Sequence, residues 1–163
     1  CIRDRILRWR EQGDDAAAMD FEWDLFVVAG NPVVHAGTPQ AGSHAINADN
    51  MFNSPDGVGF DGGGRLWIQT DGKYSNKGDY AGMGNNQMLC ADPHTGEIRR
   101  FMVGPVGCEV TGLAFSPDYR SMFVGIQHPG EEGGSSFPDH QAGVHPRSTV
   151  VVISRDDGGV IGA

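Results

Sequence analysis

The chain alternates short apolar runs with turns that carry glycine or proline. Runs of this length, rich in β-branched and aromatic side chains and bounded by turn residues, are typical of strands rather than helices. In residues 21–28, aromatic and aliphatic side chains alternate with acidic ones, as on a strand. The pattern predicts strand pairs at 6–9 with 21–28, 57–61 with 66–68, 87–91 with 97–103, 112–116 with 122–124, and 149–153 with 160–161. The expected fold class is therefore all-β.

One part of this pattern repeats. The run GVGFD at 57–61 followed by LWI at 66–68 matches GLAFS at 112–116 followed by MFV at 122–124, with glycines and phenylalanines 55 positions apart. Each match precedes a second hairpin-like pair. Four strands in about 50 residues is the size of one β-propeller blade.

The repeat predicts how the chain is organised. We expect half of a blade at 1–30, a connecting loop at 31–54, a blade at 55–104, and a last blade at 105–163 with an inserted loop at 129–147. Closed propellers need about four blades or more. The chain is thus expected to be a partial β-propeller that starts in the middle of a blade, with about two four-stranded blades plus half of a preceding one. Its open sheet edges would favour self-association.

The charge of the chain limits the kinds of partner that it can bind. The formal net charge is −9, and no run of lysine or arginine occurs, so nucleic acid is not an expected partner. The excess carboxylates form either a solvated acidic surface or a site for cations. No apolar stretch approaches the ~20 residues that a membrane span requires.

Cysteine and histidine give no further site. Cys1, Cys90 and Cys108 form no CxxC pair, so neither a disulfide framework nor a zinc ribbon is predicted. Cys90 and Cys108 are expected to be buried apolar residues. The histidines lack the short fixed spacing of zinc ligands.

Several ordered motifs carry a family resemblance. They read NMFNSPDG at 50–57, GRLWIQTDG at 64–72, GNNQML at 84–89, GPVGCEVTG at 104–112, IQHPGE at 126–131, and PRS at 146–148 through DDGGVIG at 156–162. Together they resemble the PhoX-type alkaline phosphatases over nearly the whole chain. The resemblance implies hydrolysis of phosphate monoesters at a cluster of calcium and iron ions near a propeller axis.

The resemblance also implies a longer parent protein. Whole members are exported to the periplasm or secreted, and their N-terminal portion supplies further metal ligands, including a cysteine. Cys1 lies in a poorly matching start and is not assigned that role. The isolated chain, which would contribute only part of the metal shell, is expected to be inactive.

The candidate ligands are oxygen donors beside the predicted first strands. Asp56 follows Pro55, whose ring fixes the local backbone angle, and Glu109 occupies a similar place one repeat later. Both carboxylates, with the amide oxygen of Asn53, would form part of a calcium shell. Asp71 and His128 follow the second strands and could border the same site. A turn-forming role for Asp56 and Asp71, and packing or exposure for His128, remain open.

Other readings also remain open. Asn85, Asn86 and Gln87 either orient ligands or bond to their own loop. No serine lies in a recognisable nucleophile elbow. The chain could instead belong to a non-catalytic calcium-binding propeller module or to a propeller-type calcium-dependent lactonase.

Overall fold

Three antiparallel sheets form the chain. The computed structural model describes residues 4–163, so Cys1 lies outside the described residues. Within them, nine strands form sheets of order β1-β2, β3-β4-β5-β6 and β7-β8-β9. Their bounds are β1 Arg5–Glu11, β2 Phe21–Val28, β3 Pro55–Phe60, β4 Leu66–Thr70, β5 Gln87–Ala91, β6 Ile98–Val103, β7 Glu109–Phe115, β8 Ser121–Gln127 and β9 Thr149–Ser154. The prediction of an all-β fold is confirmed.

Helical structure is limited in the described part to short 3₁₀ turns at Gln12–Asp14, Pro39–Ala41 and Gly78–Tyr80. None of these has the length or hydrophobicity needed to cross a bilayer.

The four-stranded sheet separates two hydrophobic cores. Because side chains alternate along a strand, Ile68 of β4 enters the core shared with Phe52, while its neighbour Trp67 enters the core shared with the third sheet. Met122 and Val124 of β8 line that second core. The sheets therefore lie face to face in chain order, with the four-stranded sheet in the middle.

The repeated glycines are β-bulges. The pairing register shifts between Pro55 and Val58 in β3, and between Thr111 and Leu113 in β7. Gly57 and Gly112 lie at these two irregularities, and Gly112 has φ +54°, a left-handed conformation that glycine adopts readily. A bulge bends its strand and changes where nearby side chains point. The repeat thus marks the first strands of two successive sheets.

The last sheet has three strands, so the prediction of a fourth strand at 160–161 is wrong. The tail leaves the edge of β9 because it has stronger partners elsewhere. The Ile161 amide donates to the Tyr119 carbonyl at 3.0 Å, and the Ile161 side chain is buried in the second core. Arg65 donates to the carbonyl oxygens of Ile161 and Gly162.

The segment at 31–54 is more than a connection. Phe52 is fully buried, Ile46 and Met51 join the first core, and a bridge pairs Phe52 with Gly30. In contrast, the hairpin β1-β2 leaves Trp9 62% and Trp23 64% exposed, on a face that no described segment covers. The alternation in β2 correctly predicts a strand, but its aromatic face is not buried here.

Candidate functional site

Strand ends bring the candidate residues together. β3 begins at Pro55 opposite Thr70, the last residue of β4, and β7 begins at Glu109 opposite Gln127, the last residue of β8. Asp56 is the second residue of β3, whereas Asp71 and His128 directly follow β4 and β8. Because the pairs are antiparallel, these residues lie at the same end of their own sheets.

Glu109 is the buried carboxylate of this group. Its side chain is 11% exposed, and its imidazole partner is His128, whose Nε2 lies 3.5 Å from Oε2. Burial raises the pKa of the Glu109 carboxyl above its ordinary value, and the negative charges of Asp71 and Asp56 raise it further. His128 opposes the increase.

Asp56 and Asp71 are exposed, in contrast to Glu109. The charges of both raise the pKa of Glu109, so both carboxylates lie within electrostatic range of it. The sequence predicted Asp71 directly after a strand, which the structure confirms, and Asp56 just before a strand, whereas the structure has Asp56 as the second residue of β3. We call Asp56, Asp71, Glu109 and His128 the acidic wall.

His128 has a strained backbone and two acidic neighbours. Its φ is +35°, which is uncommon for a non-glycine residue. Its Nδ1 lies 3.6 Å from Oε2 of Glu131, beyond hydrogen-bonding distance, and is buried without a hydrogen-bond partner. The imidazole therefore lies between Glu109 and Glu131. The role of Glu131 was not evident from the sequence, where it begins a glycine-rich loop.

The Asn53 side chain is used locally. Its Oδ1 accepts hydrogen bonds from the Lys73 amide at 3.0 Å and from the Ser54 hydroxyl at 3.1 Å, and its Nδ2 donates to the Lys73 carbonyl at 3.2 Å. Binding a cation through Oδ1 would require giving up one of these bonds. The structure thus offers a positioning role for Asn53 as well as the predicted ligand role.

Asn86 is the more informative amide, and sequence reasoning left its role open. Its Oδ1 accepts from the Thr70 hydroxyl at 2.9 Å and the Gly72 amide at 2.7 Å. Its Nδ2 donates to the Gly72 carbonyl at 3.1 Å and the Cys108 carbonyl at 2.9 Å. Asn86 thereby links the loop of Asp71 to the residue that precedes Glu109.

The loop before β7 and the loop after β8 are hydrogen-bonded to each other near Glu109. The Gly130 amide donates to the Val106 carbonyl at 2.7 Å, which joins the loop after β8 to the loop before β7. A Cβ at Gly104 would lie 2.4 Å from the sulfur of Cys108, so this approach needs glycine. Burial raises the pKa of the Cys108 thiol to about 11, which fits the predicted role of a buried apolar residue.

A further buried amide lies nearby. Gln69 precedes Thr70 in β4 and is 2% exposed, and its Nε2 has no hydrogen-bond acceptor in the described residues. A Cβ at Gly57, beside Asp56, would lie 2.7 Å from Oε1 of Gln69. No pattern in the sequence indicated this unpartnered donor.

The acidic wall fits part of a site for hard cations. Carboxylate oxygens are the ligands that calcium prefers, and a cation would relieve the repulsion among Asp56, Asp71 and Glu109. However, within residues 4–163 no three His, Cys, Asp or Glu side chains are grouped closely enough to hold a metal ion by themselves. The donor set suits one side of such a site rather than a complete shell.

Comparison with known proteins agrees with the sequence motifs. The family model for alkaline phosphatase PhoX matches residues 3–130. A solved structure of Pseudomonas fluorescens PhoX, in complex with vanadate, a transition state analogue, superposes with a TM-score of 0.98 at 68% identity and covers 99% of this chain. The chain spans 28% of the length of that protein. A search of curated proteins finds no match.

The family match and the structural match cover the segments that build the acidic wall, up to the loop that carries His128. The chain belongs to the alkaline phosphatase PhoX family.

Proposed function

We propose that this chain supplies one wall of the active site of a longer phosphate monoester hydrolase, with Asp56 and Glu109 as metal ligands and Asp71 and His128 at the border of the site. The observation that supports this is the buried Glu109 carboxylate, which faces the charges of two other carboxylates. Such an arrangement disfavours the ionised form unless a cation compensates.

The wall can satisfy only part of a cation's coordination. Calcium takes about six to eight oxygen ligands, and Asp56 and Glu109 would provide a few of them. The remaining ligands would come from the part of the longer protein that this chain does not span. Asn53 is assigned to positioning, because both acceptor positions of its oxygen are used.

The metals in this proposal are calcium and iron, as the family resemblance implies. Ions of this kind, when bound, supply Lewis-acid stabilisation of the phosphate oxygens. The residues of this chain would hold these ions and orient their ligands. Without compensating cations, the acidic wall would repel a phosphate monoester, so binding of an anionic substrate here depends on the carboxylates being neutralised.

The three stacked sheets support a partial propeller. β3 and β7, the first strands of successive sheets, contact each other, as the innermost strands of neighbouring blades do. The hairpin and the last sheet each present an outer face with exposed apolar side chains, including Trp23 and Val152. Further blades of the longer protein would cover these faces.

Three further proposals follow from the resemblance and from this architecture. The longer protein is periplasmic or secreted. The isolated chain does not hydrolyse phosphate esters, because it has only part of the metal shell. It self-associates through its open sheet edges.

The proposal is tested in the longer protein that carries this chain. Glu109→Gln removes the buried carboxylate at similar volume, and Glu97→Gln is the matched control in the turn at the opposite end of the four-stranded sheet. We expect Glu109→Gln to lower kcat/KM for a phosphate monoester by about 100-fold or more and to reduce bound metal, with Glu97→Gln unchanged.

The same preparations separate the alternative functions. Unaltered hydrolysis and metal content in Glu109→Gln would contradict the proposal. Turnover of lactones but not phosphate monoesters would indicate a lactonase, and calcium binding without any turnover would indicate a non-catalytic module.

A further inference from the structure

Two buried asparagines hold the loop that carries Asp71. Asn53 makes hydrogen bonds to both the amide and the carbonyl of Lys73, and Asn86 makes them to both the amide and the carbonyl of Gly72. Each side-chain amide thus pairs with both the N–H and the C=O of one residue, as the opposite residue of a hydrogen-bonded antiparallel pair would. These four hydrogen bonds hold the loop directly after β4.

Asn86 also reaches the other acidic loop. Its Nδ2 donates to the Cys108 carbonyl at 2.9 Å, one residue before Glu109. All four hydrogen-bonding positions of the amide are therefore occupied, and the residue is only 4% exposed. A fully satisfied buried amide of this kind fixes the spacing between the segments that it joins.

Glycine at position 72 makes this arrangement accessible. A Cβ there would lie 1.8 Å from Oδ1 of Asn53, which no side chain could accept. We call the Asn86 side chain the clamp. The Thr70 hydroxyl at the end of β4 orients it, because this hydroxyl donates to Asn86 and accepts from the Gln87 amide at 2.9 Å. Thr70 and Gly72 therefore position the Asn86 side chain in addition to their roles in the strand and the loop.

We infer that Asn86 is a positioning residue that sets the separation of Asp71 and Glu109 and thereby the cation affinity of the acidic wall. This inference rests on the proposed function. The repulsion among the carboxylates favours their separation, and a rigid link across the two loops resists it. Partners that orient ligands typically contribute about 10–100-fold in metal affinity.

The test compares two buried asparagines in the longer protein. Asn86→Ala removes the clamp. Asn50→Ala is the matched control, because Asn50 is 2% exposed and bonds to the carbonyls of Ala45 and Ile98, away from the acidic wall. Calcium chloride is titrated calorimetrically into the metal-stripped protein, and the Tm of each variant is measured alongside.

We expect both substitutions to lower the Tm, but only Asn86→Ala to weaken calcium binding, by about 10–100-fold. Equal calcium affinity in the two variants would overturn the inference and leave Asn86 a structural residue. If Asn86→Ala does not fold, Thr70→Val removes one bond to the clamp at similar volume. It is expected to weaken calcium binding in the same direction, and an unchanged affinity would overturn the inference.

A Glu109→Gln arm separates this inference from the function on which it rests. If Glu109→Gln weakens calcium binding while Asn86→Ala does not, only the positioning role fails. If Glu109→Gln leaves calcium affinity unchanged, the proposed function and the positioning role both fail.

Discussion

Single residues decide the local geometry of the turns, and Asp61 is the clearest case outside the acidic wall. Its side chain is 1% exposed and accepts hydrogen bonds from Arg65 Nε at 2.7 Å and Trp67 Nε1 at 2.9 Å. Burial by itself would raise the pKa of Asp61, but these bonds and two backbone amides outweigh it and hold the pKa below its ordinary value. Asp61 therefore also orients Arg65, which binds the C-terminal tail.

Asp61→Asn is expected to lower the free energy of unfolding by about 2–3 kcal/mol at pH 7, because hydrogen bonds to a buried charge are lost. A group whose pKa is lower in the folded state stabilises the protein above its unfolded pKa, and this stability is lost as the pH falls through the folded value. The difference between the two proteins should therefore shrink below about pH 4.

Chemical denaturation of the chain between pH 3 and 7 measures this difference, with Asp156→Asn in an exposed turn as the control. A difference between Asp61→Asn and the parent that is independent of pH would show that the charge of Asp61 does not contribute.

The sequence predicted where the residues of the acidic wall lie along the strands better than it predicted what holds them in place. Asp71 and His128 could be placed because they follow apolar strands, and Glu109 because of its repeat position. The four bonds of Asn86 join segments that are far apart in the chain, so they depend on tertiary packing that no local pattern encodes. The one local indication of a positioning role for Asn86 was its place directly before β5, in a glycine-rich loop.

At the scale of elements, the sequence predicted the hairpins, but it did not predict where the last sheet ends or that the connecting loop joins the core. Turn residues and alternation located the strands, and the repeated glycines correspond to bulges in β3 and β7. The predicted strand at 160–161 fails because Ile161 gains more by entering the second core than by pairing with β9. The segment at 31–54 contributes Phe52 to the first core, although the repeat predicted only a connecting loop there.

The open edges lead to a prediction for the isolated chain. Strands such as β9 present unpaired backbone groups on one side, so we expect concentration-dependent association through strand pairing. Sedimentation velocity over a range of concentrations measures this. Trp23→Lys, which alters the exposed hairpin face but no backbone group, should leave the association in place.

Two outcomes would contradict pairing through the edges. The chain could remain monomeric at every concentration, or Trp23→Lys could abolish its association, in which case the aromatic face of the hairpin would be the contact.

At the scale of the whole molecule, residues 4–163 form a stack of three sheets, and no other part of these residues covers its two outer faces. The Pseudomonas fluorescens structure that it matches is longer, and the chain spans 28% of it. In the propeller that we propose, further sheets would cover both faces and bring additional ligands to the acidic wall. The repeat in the sequence predicts such a ring of sheets, because each repeat has the size of one propeller blade.

The central claim is that the carboxylates of Asp56 and Glu109 converge on shared cations. Its most direct test is a crystal structure of the longer protein grown with calcium, with anomalous scattering used to locate the cations. The account predicts a cation within ~2.3–2.6 Å of oxygens from both carboxylates. Cations found only elsewhere, with Asp56 and Glu109 unligated within intact sheets, would contradict it.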